Sequence, residues 1–112
     1  MGGVAGVEQP MKTRQPKPLV PGTVSRWLGA AGFACWARHY NQDGYSTSPF
    51  IDGVVEVQYV TVAERPAAPP TETELVMLAR YAAVLATKGC AATMRVWNNC
   101  AALYVRRGSD TP

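Results

Sequence analysis

Two asparagines, Asn98 and Asn99, stand between a pair of segments that alternate in polarity, and no other feature of the 112-residue chain constrains its fold so tightly. Asparagine tolerates the positive φ of a two-residue type I′ turn, the connection whose twist suits antiparallel strands. A two-residue turn leaves one register: Trp97 pairs with Cys100, Val96 with Ala101, Arg95 with Ala102, Met94 with Leu103, Thr93 with Tyr104 and Ala92 with Val105. Successive side chains leave a strand on opposite faces. One face of this hairpin is therefore Ala92, Met94, Val96, Ala101, Leu103 and Val105, and the other Thr93, Arg95, Trp97, Tyr104 and Arg106. Such sorting marks a half-buried hairpin whose apolar side needs a cover.

The cover is written just upstream. Thr71-Glu72-Thr73-Glu74 is a capping box, in which a hydroxyl and a carboxylate satisfy free backbone amides at a helix start. Leu75, Leu78, Ala82 and Leu85 follow at helical spacing, widened by Met77, Tyr81 and Val84, and Gly89 stops the helix behind Lys88. The predicted span is 72–88.

The first half repeats this grammar less clearly. Thr23 is the predicted cap of a short helix with Val24, Trp27, Leu28 and Ala31 on one face and Gly32 at its end. Residues 34–40 alternate as a strand would, with Cys35, Ala37 and His39 on one side and Trp36, Arg38 and Tyr40 on the other. Residues 45–47 are at most a short second strand before Pro49. Asp52-Gly53 is a turn, and residues 54–62, rich in β-branched side chains, form a strand expected at the centre of the sheet. The segment 64–70, with Pro66, Pro69 and Pro70, is a stiff connection.

The predicted fold is α+β, with two helices packed on one face of a mostly antiparallel sheet in the order α-β-(β)-β-α-β-β. Residues 28–41 lie over 85–98 without gaps, pairing Leu28 with Leu85, Gly32 with Gly89, Arg38 with Arg95 and Tyr40 with Trp97, as an internal αββ repeat would. By that alignment Arg38 and Tyr40 leave the sheet on the same side as Arg95 and Trp97.

A chain of this length, 47% hydrophobic, fills one core but not two. The domain is expected over 21–108, preceded by a flexible basic tail over 1–20 that holds Lys12, Arg14 and Lys17 against Glu8, and followed by a disordered C-terminus over 109–112. No apolar run is long enough to span a bilayer, and the N-terminus lacks the pattern of a signal peptide. Three cysteines, an odd number, suit reduced thiols better than a disulfide framework. The expectation is a cytoplasmic protein with no membrane partner.

Trp36, Arg38, Tyr40, Arg95, Trp97, Tyr104 and Arg106 are the candidate binding surface. Rings and guanidinium groups on one sheet face suit a protein contact, including self-association, and they also suit single-stranded nucleic acid, where rings stack on bases and guanidinium groups meet phosphates. The net charge of +3 is modest for the second role. Cys35, His39, Cys90 and Cys100 are the residue types of a zinc site, yet Cys35 and His39 would stand about 13 Å apart on a strand. The same separation disfavours a Cys/His nucleophile pair. Asp43, Asp52 and Glu56 read as solvated carboxylates rather than an acid-base pair. No glycine-rich phosphate loop is present, so neither a metal nor a cofactor is called for, and an enzyme is the least favoured class.

Trp27-Leu28-Gly29-Ala30-Ala31-Gly32-Phe33 and Leu78-Ala79-Arg80-Tyr81-Ala82-Ala83-Val84-Leu85 give the chain a style that resembles small proteins of high-GC actinobacteria and their phages, across about residues 22–108. The resemblance implies an accessory or regulatory factor of a phage or mobile element that acts by binding, and assigns no site residue. The expected function is thus a small non-catalytic binding or regulatory module working through protein contact or self-association, with nucleic-acid binding as the alternative.

Overall fold

The computed structural model describes residues 17–36, 42–62 and 69–108. Helix α1 spans Pro21–Ala30, strands β1 and β2 span Gly44–Ile51 and Val54–Val60, helix α2 spans Glu72–Thr87, and strands β3 and β4 span Cys90–Val96 and Ala101–Arg107. The four strands form one antiparallel sheet in the order β1-β2-β4-β3. The chain is an α+β protein built as two consecutive αββ units, with β2 and β4 meeting at the middle.

The second unit follows its sequence closely. The Thr71 side chain accepts from the Glu74 amide at 3.1 Å, which satisfies one free donor of the first turn of α2. The β3–β4 register is the one that the Asn98-Asn99 turn dictates, from Val96 opposite Ala101 to Ala92 opposite Val105, extended to Cys90 opposite Arg107. Tyr81 is wholly buried and belongs to the centre of the core rather than to its margin.

The first unit departs from expectation in three places. Helix α1 begins at Pro21, not at a Thr23 cap; Val20 precedes it with extended backbone, and the amides of Thr23 and Val24 both bond to the Val20 carbonyl. Proline has its φ already set for a first helical position and no amide to leave unpaired, so it starts the helix without a side-chain cap. Where the predicted strand over 34–40 is described, at residues 34–36, it is not a strand: Cys35 makes a single parallel bridge to Tyr45 and the backbone is helical at Trp36. Residues 37–41, with Arg38, His39 and Tyr40, lie outside the described residues. The first strand of the unit is instead β1, eight residues long and containing Pro49. A proline is tolerated there because β1 is an edge strand, and the register shifts immediately after it, between Pro49 and Ile51. The residue-by-residue repeat fails at residues 34–36, which align with 91–93 of β3 but form no strand, although the αββ order itself recurs among the described elements.

Gly44 explains how the strap over 34–36 can lie against β1. A Cβ at this position would stand 2.8 Å from the Trp36 amide nitrogen and closer still to the Ala34 carbonyl oxygen, so only glycine admits the crossing. The Tyr45 amide donates to that same Ala34 carbonyl at 3.0 Å.

Both helices cover the same face, α1 over β1 and β2, α2 over β3 and its neighbours. Val24 and Leu28 from α1 and Leu78, Tyr81 and Leu85 from α2 meet Tyr45, Val55, Val57, Leu103 and Val105 from the sheet, all at 2% exposure or less. Each aliphatic side chain buried in this way stabilises the fold by about 1.5–3 kcal/mol. Leu19, within the segment read as tail, is buried in this core, and the Lys17 carbonyl accepts from Arg107 Nε at 2.8 Å.

Candidate functional site

With both described helices on one side, the other side of the sheet carries no helix among the described residues. Strand alternation decides what it presents. From β1 come Ser46, Ser48 and Phe50, from β2 Glu56 and Gln58, from β4 Ala102, Tyr104 and Arg106, and from β3 Ala91, Thr93 and Arg95, with Trp97 just beyond the strand end.

A single polar row crosses all four strands, because Ser48 pairs with Glu56, Glu56 with Tyr104 and Tyr104 with Thr93. The Tyr104 hydroxyl donates to Glu56 Oε2 at 2.9 Å and the Ser48 hydroxyl to Glu56 Oε1 at 3.3 Å. A carboxylate held by two hydroxyls has its charge partly satisfied and its rotamer fixed. Burial pushes the Tyr104 phenol above the usual tyrosine range, the hydrogen bond to Glu56 and that carboxylate's charge add to the rise, and Arg95 opposes it.

Aromatic rings flank this row. Phe50 packs on Tyr104 with centroids 4.6 Å apart and an interplanar angle of 57°, and Trp97 meets Tyr104 edge to face at 6.3 Å and 82°. Both outer rings remain open to solvent, Phe50 by 54% and Trp97 by 42%. Arg95 and Arg106 stand exposed beside them. Ala102, opposite Arg95 across the ladder and two residues before Tyr104 on its own strand, is completely covered although it faces away from both described helices and is not part of the helix-side core.

The structure therefore gathers Arg95, Trp97, Tyr104 and Arg106, four of the seven candidate residues, on one open face. Trp36 does not join them: it ends the strap along β1, at the opposite edge of the sheet from β3. Arg38 and Tyr40 lie outside the described residues. Phe50, Ser48 and Glu56 complete the face and were missed. The alternation of Glu56 against Val55 and Val57 puts it on this side, but the bond to Tyr104 requires knowing that β2 pairs with β4. Phe50 carried no signal, since its strand was read only as far as residue 47.

The other titratable groups disperse. Cys35 lies at the β1 edge, Cys90 at the start of β3 and Cys100 at the turn before β4, all as free thiols, and burial raises the Cys90 thiol above its ordinary value with Arg107 partly opposing. Asp43, read as solvated, accepts from the Val62 amide at 2.8 Å and ties the start of β1 to the end of β2. Among the described residues no three metal-ligating side chains gather, and no helix is long and apolar enough to cross a membrane.

Compared with known proteins, the chain matches no family model, no curated protein and no solved structure.

Proposed function

We propose that this chain is a small non-catalytic binding module that takes a protein partner on its open sheet face. The observation that carries the reading is the line Phe50, Tyr104 and Trp97, with two half-exposed rings beside Arg95 and Arg106. Rings and arginines dominate protein contacts because they bring large area with few rotamers to freeze. Glu56 favours protein over polyanion, since a carboxylate at the middle of the face repels phosphate. The dispersed thiols, with Cys90 held as the neutral form, support a non-catalytic role, because the thiolate is the nucleophile.

The test is affinity capture of partners from the native host with the wild-type chain, Phe50→Ala and Trp97→Ala, each variant first checked for folding. A partner retained by wild type and lost by both variants is expected; equal retention by all three would remove this face from consideration. The exposed rings and flanking arginines also favour a second reading, single-stranded nucleic acid stacked on Phe50 and Trp97. That reading requires oligonucleotide binding that weakens steeply between 50 and 200 mM salt, measurable by fluorescence anisotropy.

A further inference from the structure

The two edges of the sheet are treated very differently. The β1 edge is closed by three devices: the strap bridged through Cys35 to Tyr45, Pro49 in the strand, and the register shift beside it. These are the means by which proteins stop an edge from pairing with another chain. The β3 edge, Cys-Ala-Ala-Thr-Met-Arg-Val, has no proline and no bulge, and it ends the sheet with no described residue beyond it. Its core-side residues Ala92 and Met94 are left half-exposed, while their cross-strand partners Val105 and Leu103 are buried.

We propose that the outer edge of β3 pairs antiparallel with the same edge of a second copy, with Thr93 on the twofold axis, to form one eight-stranded sheet. This goes beyond the open-face reading and uses the edge of the sheet, where Arg95 and Trp97 border both surfaces. The Trp97 amide donates to the Cys100 carbonyl and the Gly108 amide to the Gly89 carbonyl, each at 2.8 Å. Odd-numbered residues of β3 thus turn their backbone groups toward β4, and residues 90, 92, 94 and 96 turn theirs outward. A twofold axis normal to the sheet keeps each residue on its own face, so only registers that pair like faces are allowed.

Centring on Thr93 uses the whole strand and places every large residue against a small one. Arg95 faces Ala91 of the second copy, Met94 faces Ala92, Val96 faces Cys90 and Trp97 faces Gly89. The strand's single charge meets an alanine rather than its own copy, which centring two residues later would force. The outward groups of 90, 92, 94 and 96 would close about eight backbone hydrogen bonds. On the helix side, α2 lies over β3; its Ala83, Val84 and Thr87 stand beside Trp27, Ala30 and Ala31 of α1, so its opposite flank carries three alanines, Ala79, Ala82 and Ala86, together with Leu75. Two such helices, each over the last two strands, would stand about 10 Å apart, within reach of packing when the facing residues are small. The contact is a strip about 24 Å long and about 20 Å deep, so roughly 500 Å² per copy, at the low end for a specific interface. An interface of this size suits a weak, concentration-dependent dimer.

Sedimentation equilibrium of the full chain from about 5 to 500 μM is expected to show a monomer giving way to a dimer. Ala92→Pro removes an outward amide that the β3–β4 ladder does not use, and should hold the chain monomeric throughout. Ala91→Arg sets a cation against Arg95 of the second copy and should weaken the dimer at least tenfold at low salt, while Ala91→Glu tightens it; both leave the strand intact if the proline does not. Thr93→Cys should form a disulfide-linked dimer under mild oxidation that neither wild type nor Arg95→Cys forms, since opposed residues in a non-hydrogen-bonded pair have Cα atoms about 4.5 Å apart. A chain still monomeric at 500 μM overturns the proposal, and so does a dimer indifferent to both Ala91 variants.

Discussion

Tyr81→Phe should make the protein more stable, although Tyr81 is among the largest fully buried side chains of the core. Its ring packs edge to face on Phe33 at 4.9 Å and 86° and on Tyr45 at 6.1 Å and 81°, contacts that phenylalanine keeps. Its hydroxyl is buried with no hydrogen-bond partner among the described residues. An unsatisfied buried polar group costs about 1–3 kcal/mol, and removing one oxygen opens a void smaller than a methyl group. The net gain is about 1 kcal/mol, or a rise of about 4–8 °C in melting temperature for a domain of this size. Burial also lifts the Tyr81 phenol far above the ordinary tyrosine range, with Tyr59 and Tyr45 adding to the rise. The sign follows from linkage: the unfolded chain ionises near pH 10 while the folded chain holds its proton. The stability tied to the neutral phenol is therefore complete below pH 10 and is lost as pH climbs toward the raised folded value, at about 1.4 kcal/mol per pH unit. Urea unfolding of both proteins at pH 7, 10 and 11 checks both effects. The gap in favour of Phe should widen above pH 10. A loss of 1 kcal/mol or more at pH 7 would mean that the hydroxyl has a partner, and a constant gap would refute the buried-phenol argument.

Three further outcomes are expected. Gly44→Ala should cost about 2 kcal/mol or more, read as a lowered urea midpoint, because its Cβ would collide with the strap at Ala34 and Trp36. Glu56→Ala should cost about 1–2 kcal/mol by leaving the Tyr104 hydroxyl without its acceptor; it should also bring the phenol's titration, followed at 295 nm, back toward the ordinary value. Ala102→Leu should cost about 1–3 kcal/mol even though it faces away from both helices, because that alanine is already wholly covered. Calorimetry showing no change would mean that the groups covering it move aside freely.

The second unit was legible in the sequence because its signals are local and geometric. A two-residue turn sets a register, a capping hydroxyl sets a helix start, and the faces follow by parity. The first unit was less so, because the alternation that begins at residue 34 yields only the single bridge of Cys35 to Tyr45 over residues 34–36. The true strand β1, Gly-Tyr-Ser-Thr-Ser-Pro-Phe-Ile, has poor strand propensity and is held by its pairing with β2 from Gly44 opposite Val60 onward. Of the candidate site, the half on β3 and β4 was readable from the hairpin alone. Glu56 and Phe50 join it only through the meeting of β2 with β4 and the diagonal reach from β1 to Tyr104, contacts that link distant parts of the chain.

That meeting also sets the order of events during synthesis. Each αββ unit closes locally, but Val55 waits for Val105, fifty residues later in the chain. At about 5–20 residues per second, the ribosome takes roughly 3–10 s to supply the missing strand. Throughout that interval the nascent first half holds Val-Val-Glu-Val-Gln-Tyr-Val, its most β-prone segment, with one side unzipped. Glu56, the lone charge in that stretch, is then the residue that discourages neighbouring nascent chains from docking there.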